Sequence, residues 1–170
     1  MSPTQPGTAP TPPVVVAGVD GSEQSVAALR WADYLATACG GRTLVVAVWQ
    51  ANTASALLGE GWSPLPSDWD PQAIVQTELR HVLEDYYGKD LPAGVEARVE
   101  EGNPARVLMD LSKDAQVLVV GSRGHGGFAS LLLGSVSAAC AEHAKCPVLV
   151  VHGDRPPPGG GARHAGGVVG

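Results

Sequence analysis

Three glycines and two serines in this chain are spaced for holding an anion. Gly121, Gly124, Gly134, Ser135 and Ser137 fall in the stretch "VVGSRGHGGFASLLLGSVS" (119–137). An apolar run ends there in glycine, a glycine-rich loop follows, and "GSVS" opens the next element. Glycine costs conformational entropy wherever it sits, so this clustering needs a reason. Gly121 lets the chain turn sharply as it leaves a strand. Gly124 permits close backbone approach to a ligand, or a positive φ. Gly134 and Ser135 begin a helix whose first amides have no intrahelical partners. Those amides, the helix dipole and a Ser135 hydroxyl serving as both cap and ligand suit a phosphate group. Gly126 and Gly127 need no more than a floppy loop. Asp20, in "DGS" (20–22), follows a second apolar run, where an acid commonly serves a turn.

Other chemistries fit the residues less well. The chain has no G-x-x-x-x-G-K-[ST], so it lacks the P-loop lysine and its metal-binding hydroxyl. "GVDGSE" (18–23) has the wrong glycine spacing for a dinucleotide fingerprint, and no G-x-S-x-G nucleophile elbow occurs. Cys140, His143 and Cys146 lie three and six residues apart on a predicted helix. At roughly 100° per residue the third side chain points away from the first, so buried small cysteines are expected rather than a metal site. His81 and His152 have no evident nucleophile beside them.

The elements that must position these residues alternate strand and helix. "VVVAGV" (14–19) and "TLVVAVW" (43–49) are continuous apolar runs, as in strands buried on both faces. Between them Ser22 caps a helix to about Ala38, ended by Gly40-Gly41. Residues 70–87 carry Val75, Leu79, Val82, Leu83 and Tyr86 at helical spacing. "GVEARVE" (94–100) alternates like an edge strand. Asn103-Pro104 opens a helix to about Ser112. "AQVLVVG" (115–121), a helix from Ser135 to Lys145, and "PVLVVH" (147–152) complete the series. The reading is an α/β fold: a single five-stranded parallel sheet, order 3-2-1-4-5, with helices on both faces. Ligands of such sheets bind where the chain turns outward both ways, at the carboxyl ends of strands one and four. Asp20 and the glycine-rich loop both face that crevice.

Composition sets outer bounds. With 170 residues, one domain is expected, and 44% hydrophobic residues with a single Phe imply a core of Val, Leu and Ala. A formal charge of −6 argues against a nucleic-acid surface. No apolar run is long enough to span a bilayer, and the first residues lack a secretory signal pattern. Three cysteines without framework spacing point to a reducing, cytoplasmic setting. Residues 1–13 and 153–170, rich in Pro and Gly, are expected to be disordered tails flanking a domain at 14–152. The long connection at 50–70, with Trp62 and Trp69, reads as a mobile, partly packed loop.

The spacing Gly121-x2-Gly124-x9-Gly134-Ser135 resembles the nucleotide-binding motif of universal stress proteins of the ATP-binding kind. "VVAGVDGSEQSVAALRWA", "LVVAVW", "EGNPARVLMDLSKDAQVLVVGSRGHGG" and "CPVLVVH" resemble the same family, in the same order, over about residues 13–152. The resemblance implies an adenine nucleotide alpha-hydrolase-like fold and a cytoplasmic regulatory or interaction protein of the stress response. ATP is the implied ligand, alone or with Mg; AMP and cyclic AMP are alternatives, as is a slow metal-dependent nucleotide hydrolase using Asp20. By the same resemblance Asp20 lies near ribose and phosphates, directly or through a divalent ion. Val48 presents its backbone to the adenine ring. Gly121, Gly124, Gly134, Ser135 and Ser137 contact phosphate and ribose, with a backbone contribution from Val136. Arg123 and His125 occupy variable loop positions, Arg123 being a candidate phosphate partner. The resemblance also implies a homodimer through the strand at 147–152, and a further protein partner.

Overall fold

The computed structural model describes residues 11–50, 70–125 and 132–159. The expectations placed on residues 1–10, 51–69, 126–131 and 160–170 lie outside the described residues. The elements are β1 (Val14–Gly18), α1 (Glu23–Ala38), β2 (Arg42–Trp49), α2 (Pro71–Tyr87), β3 (Val95–Glu101), α3 (Pro104–Ser112), β4 (Val117–Gly121), α4 (Ser135–His143) and β5 (Val148–Val151). The five strands form one sheet in the order β3-β2-β1-β4-β5, every neighbouring pair parallel. β1 is central: Val16 stands opposite Leu44 on one side and Leu118 on the other.

Alternate residues of each strand feed opposite faces, so the sheet carries two cores. Val15, Ala17, Val45 and Val119 pack with α1 and α2 through Ala28, Leu29, Ala32, Leu79 and Leu83. Val16, Leu44, Val46, Leu118 and Val120 pack with α3 and α4 through Ala105, Leu108 and Cys140. The small side chains of α1 let it lie close on the sheet, as a chain with one Phe requires.

Local chemistry sets the helix ends. The Ser22 hydroxyl caps α1 by accepting from the Ser25 amide at 3.2 Å, and Asn103 Oδ1 caps α3 by accepting from the Arg106 amide at 3.1 Å. α1 stops in a Schellman turn, with Gly40 at φ 66°, the Gly41 amide on the Ala36 carbonyl and the Gly40 amide on the Thr37 carbonyl. One expected cap differs. Gly134, not Ser135, is the N-cap of α4, and no side chain caps that helix. Ser135 is its first helical residue, where a hydroxyl is one position too late to fold back on the early amides.

The described residues after β5, 152–159, add no strand to the sheet. They reach α1, where Trp31 donates its indole N–H to the Arg155 carbonyl at 3.0 Å.

Candidate functional site: the cleft at the carboxyl ends of β1 and β4

β1 and β4 are adjacent, and the chain leaves their carboxyl ends toward opposite sides of the sheet. The loops there cannot cover one another, which leaves a crevice. It is an open cleft of about 280 Å³, and Asp20, Val48, Gly121, Arg123, Gly124, Gly134, Ser135, Val136 and Ser137 all line it. The nine positions singled out in the sequence are thus brought together. The apolar part of the wall comes from Val46, Val48, Leu108 and Val120, residues of the core shared with α3 and α4.

Asp20 organises the polar part. Its Oδ1 accepts from the Ser22 amide at 3.0 Å and the Ser22 hydroxyl at 2.6 Å, while Oδ2 accepts from the His125 amide at 3.0 Å. The Asp20 amide donates to Ser25 Oγ at 3.3 Å. His125 Nδ1 lies 2.9 Å from the Asp20 carbonyl oxygen, close enough for an Nδ1-protonated ring to donate. Burial at the cleft wall pushes the Asp20 carboxyl up. The hydrogen bonds from Ser22, His125 and Ser25 oppose this and hold it below the ordinary carboxylate value. The carboxylate is therefore ionised at neutral pH and fixed in direction. Gly21, at φ 83°, makes the turn between Asp20 and its cap.

The three glycines have three different reasons. A Cβ on Gly121 would come within 2.9 Å of the Gln24 backbone, so this position admits the first turn of α1 against the end of β4. A Cβ on Gly124 would collide with the Asp20 carboxylate. Gly124 lies outside the left-handed region, so close approach explains it, and the group approached is Asp20. Gly134 is different: an added Cβ would make only ordinary contacts, at 3.5 Å or more, and its φ of −71° suits any residue. Nothing described inside the protein requires a glycine there.

The loop is closed on itself at its base. The Ser122 amide donates to the Val151 carbonyl at 2.8 Å, and the Ser122 carbonyl accepts from the Gly134 amide at 2.7 Å and the Ser137 hydroxyl at 2.8 Å. Ser137 is buried, and its hydroxyl also lies 3.0 Å from the Gly134 carbonyl, so it ties the start of α4 to the end of β4. The Ala138 amide makes the first backbone bond of α4, to the Gly134 carbonyl. The amides of Ser135, Val136 and Ser137 precede it, at a helix end that no side chain caps. Such an end carries about half a positive charge and favours an anion.

Sequence reasoning left His125 as a variable loop residue and did not mark Ser25 or Leu108. His125 is tied to Asp20 through both its amide and its ring. A contact made by a main-chain amide leaves no residue-type signal, so spacing could not have found it. Leu108 reads as core on its helix, and it is core as well as wall. Among the described residues no three of His, Cys, Asp and Glu gather to hold a metal ion. Asp20 is the sole acid among the described residues lining the cleft, which allows it one place in the shell of a cation that arrives with its other ligands.

A five-stranded parallel sheet in this order, helices on both faces and the cleft at its switch point define an α/β protein with the adenine nucleotide alpha-hydrolase-like fold. The family model for the universal stress protein family matches residues 13–152, and the chain belongs to that family. It is 35% identical over 154 residues to a universal stress protein of Mycolicibacterium smegmatis, covering 82% of this chain and 48% of the relative. A universal stress protein of Mycobacterium tuberculosis is 32% identical over 148 residues, with the same coverage. The chain thus spans about half the length of the curated relatives it matches. Among solved structures, the universal stress protein UspA from Lactobacillus plantarum superposes with a TM-score of 0.61 at 17% identity, covering 84% of this chain and 99% of that one. A universal stress protein solved in complex with cAMP superposes with a TM-score of 0.58 at 25% identity, covering 84% of this chain and 98% of that one.

Proposed function

We propose that this chain binds an adenine nucleotide, ATP, in the cleft between β1 and β4, and that the bound state governs its association with a partner during stress. The observation that carries the reading is Gly134. It sits beside the uncapped amides of Ser135, Val136 and Ser137, and nothing described in the protein needs its side chain to be missing. A ligand that comes against the backbone there supplies the missing reason, and the charge at that helix end makes the ligand an anion. The phosphates would meet the amides of Ser135 and Val136, with Arg123 at the loop. The apolar wall of Val46, Val48 and Leu108 would take the base, and Asp20 would face the ribose. Asp20 and a phosphate chain repel one another, so a Mg ion carried on the phosphates would relieve that repulsion, with Asp20 as one of its ligands. A cytoplasmic setting and a homodimer through β5 belong to the same reading.

Cyclic AMP is the second reading, favoured by the similar structure solved with cAMP. Titration calorimetry with ATP, AMP and cyclic AMP, each with Mg or with EDTA, separates the two. ATP should bind in the micromolar range or tighter, and Gly134→Ala should weaken it at least about tenfold with little change in stability. Tighter binding of cyclic AMP than ATP would transfer the assignment to the second reading. Absence of all three at millimolar concentration would overturn both.

A further inference from the structure

The residues that reach back to α1 have a recognisable chemistry. Arg155, whose carbonyl accepts the Trp31 indole N–H, is followed by Pro156, Pro157 and Pro158. Pro157 is buried, while residues 152–156 and 158–159 are exposed. A residue before proline is driven to extended backbone, and each proline fixes its own φ, so 155–158 is stiff before it touches anything. A polyproline II segment makes no internal hydrogen bonds, so its carbonyls seek donors elsewhere. The indole N–H is a donor only. On α1, Trp31 and Tyr34 stand three residues apart on one face, their ring centroids 5.9 Å apart and 84° between planes. Trp31 packs its inner side on the first core, and Tyr34 is exposed.

We propose that the Trp31–Tyr34 face of α1 is a recognition site for a proline-rich segment in the polyproline II conformation, occupied in cis by Arg155–Pro158 of this same chain. The elements of such recognition are present: an aromatic pair, an indole donor on a carbonyl beside the prolines, and one proline buried among exposed neighbours. The segment is pre-ordered, so docking it costs little conformational entropy. It is joined to β5 by three residues, so its effective concentration at the site is on the order of millimolar or higher. A proline-rich segment of another chain would gain the site only against that internal competitor. The site lies on the helix face and is independent of the nucleotide reading.

The test uses the full chain labelled with 15N and follows the indole N–H of Trp31, assigned by comparison with Trp31→Phe. Replacing Pro156, Pro157 and Pro158 by alanine keeps the Arg155 carbonyl and removes only the proline chemistry. Hydrogen exchange at the Trp31 indole should then rise at least about tenfold. A peptide matching residues 154–160, added at about 1 mM, should restore protection in this variant and leave the wild-type resonance unmoved. The same peptide with alanines for prolines should leave exchange in the variant high and the wild-type resonance unmoved. Unchanged protection in the triple variant would overturn the proposal, since the carbonyl alone would then hold the segment. So would failure of the proline peptide to restore protection, or equal action by the alanine peptide. A melting temperature close to wild type checks the fold; if the triple variant does not fold, Pro157→Ala carries the same comparison.

Discussion

Gly124 and Asp20 show how one residue's absent side chain can serve another's charge. A Cβ on Gly124 would strike the Asp20 carboxylate, so the two positions form one unit. Gly124→Ala should destabilise the protein by roughly 1–3 kcal/mol through overpacking. In an Asp20→Ala background the same change should cost much less, and a double-mutant cycle by urea unfolding measures the difference. Gly134→Ala should behave otherwise. Alanine is a poorer N-cap than glycine, but it also narrows the unfolded ensemble, and the two terms offset to within about 0.5 kcal/mol. Asp20 also sets a pH dependence. Its folded pKa is depressed, so its contribution is complete above the unfolded value and is lost as pH falls through the folded one. Urea midpoints between pH 5 and pH 2 should therefore fall more steeply for wild type than for Asp20→Asn; parallel slopes would remove Asp20 from the acid limb. Burial pushes the Cys140 thiol up to about 11, so a thiol reagent at pH 7.5 should leave it unmodified in the native protein while exposed Cys39 reacts. Much of this site was legible in the sequence because glycines and a serine-rich helix start are residue-type signals. What each glycine excludes was not: Gln24 is close to Gly121 and Asp20 to Gly124 only after β1, α1 and β4 have packed.

At the scale of elements, caps and periodicity were readable because both are local. Ser22, Asn103 and the Gly40-Gly41 pair act within four or five residues of themselves, and each is found at the helix end it marks. Ser22→Ala or Asn103→Ala should each cost about 1 kcal/mol. Ser22→Ala should cost more in the cleft than in the helix, because the same hydroxyl donates to Asp20 Oδ1 at 2.6 Å. Chemical denaturation and nucleotide titration on both variants check this: Asn103→Ala should lower stability alone, whereas Ser22→Ala should lower stability and affinity together. The start of α4 was misread by one residue because glycine followed by serine offers two caps to a sequence. The choice is made by the Gly134 amide, which the Ser122 carbonyl holds at 2.7 Å. That bond joins the end of β4 to the start of α4 across a loop, and a local pattern cannot contain it.

For the whole molecule, the strand order follows from alternation of strands and helices, whereas assembly depends on what the two sheet edges present. β3 guards its edge with charge: Glu96 accepts from Arg42 and from Arg98, both at 2.7 Å. β5 offers no such group. It is Val148, Leu149, Val150 and Val151, paired with β4 on one side. The described chain that follows it goes to α1 and adds no strand to the sheet. An apolar edge with no further strand among the described residues invites another strand, and a second copy of β5 supplies a self-complementary one. We expect a homodimer in which the β5 strands meet. Val150→Pro removes one ladder donor and clashes with its neighbour's approach, so it should give monomer or aggregate. Glu96→Ala, at the opposite edge, should leave the dimer intact. Light scattering over a concentration series reads both variants against wild type. A wild-type chain that stays monomeric at high micromolar concentration, with and without ATP, would sink the dimer. A dimer that survives Val150→Pro would move the interface away from β5, toward the helices that flank it.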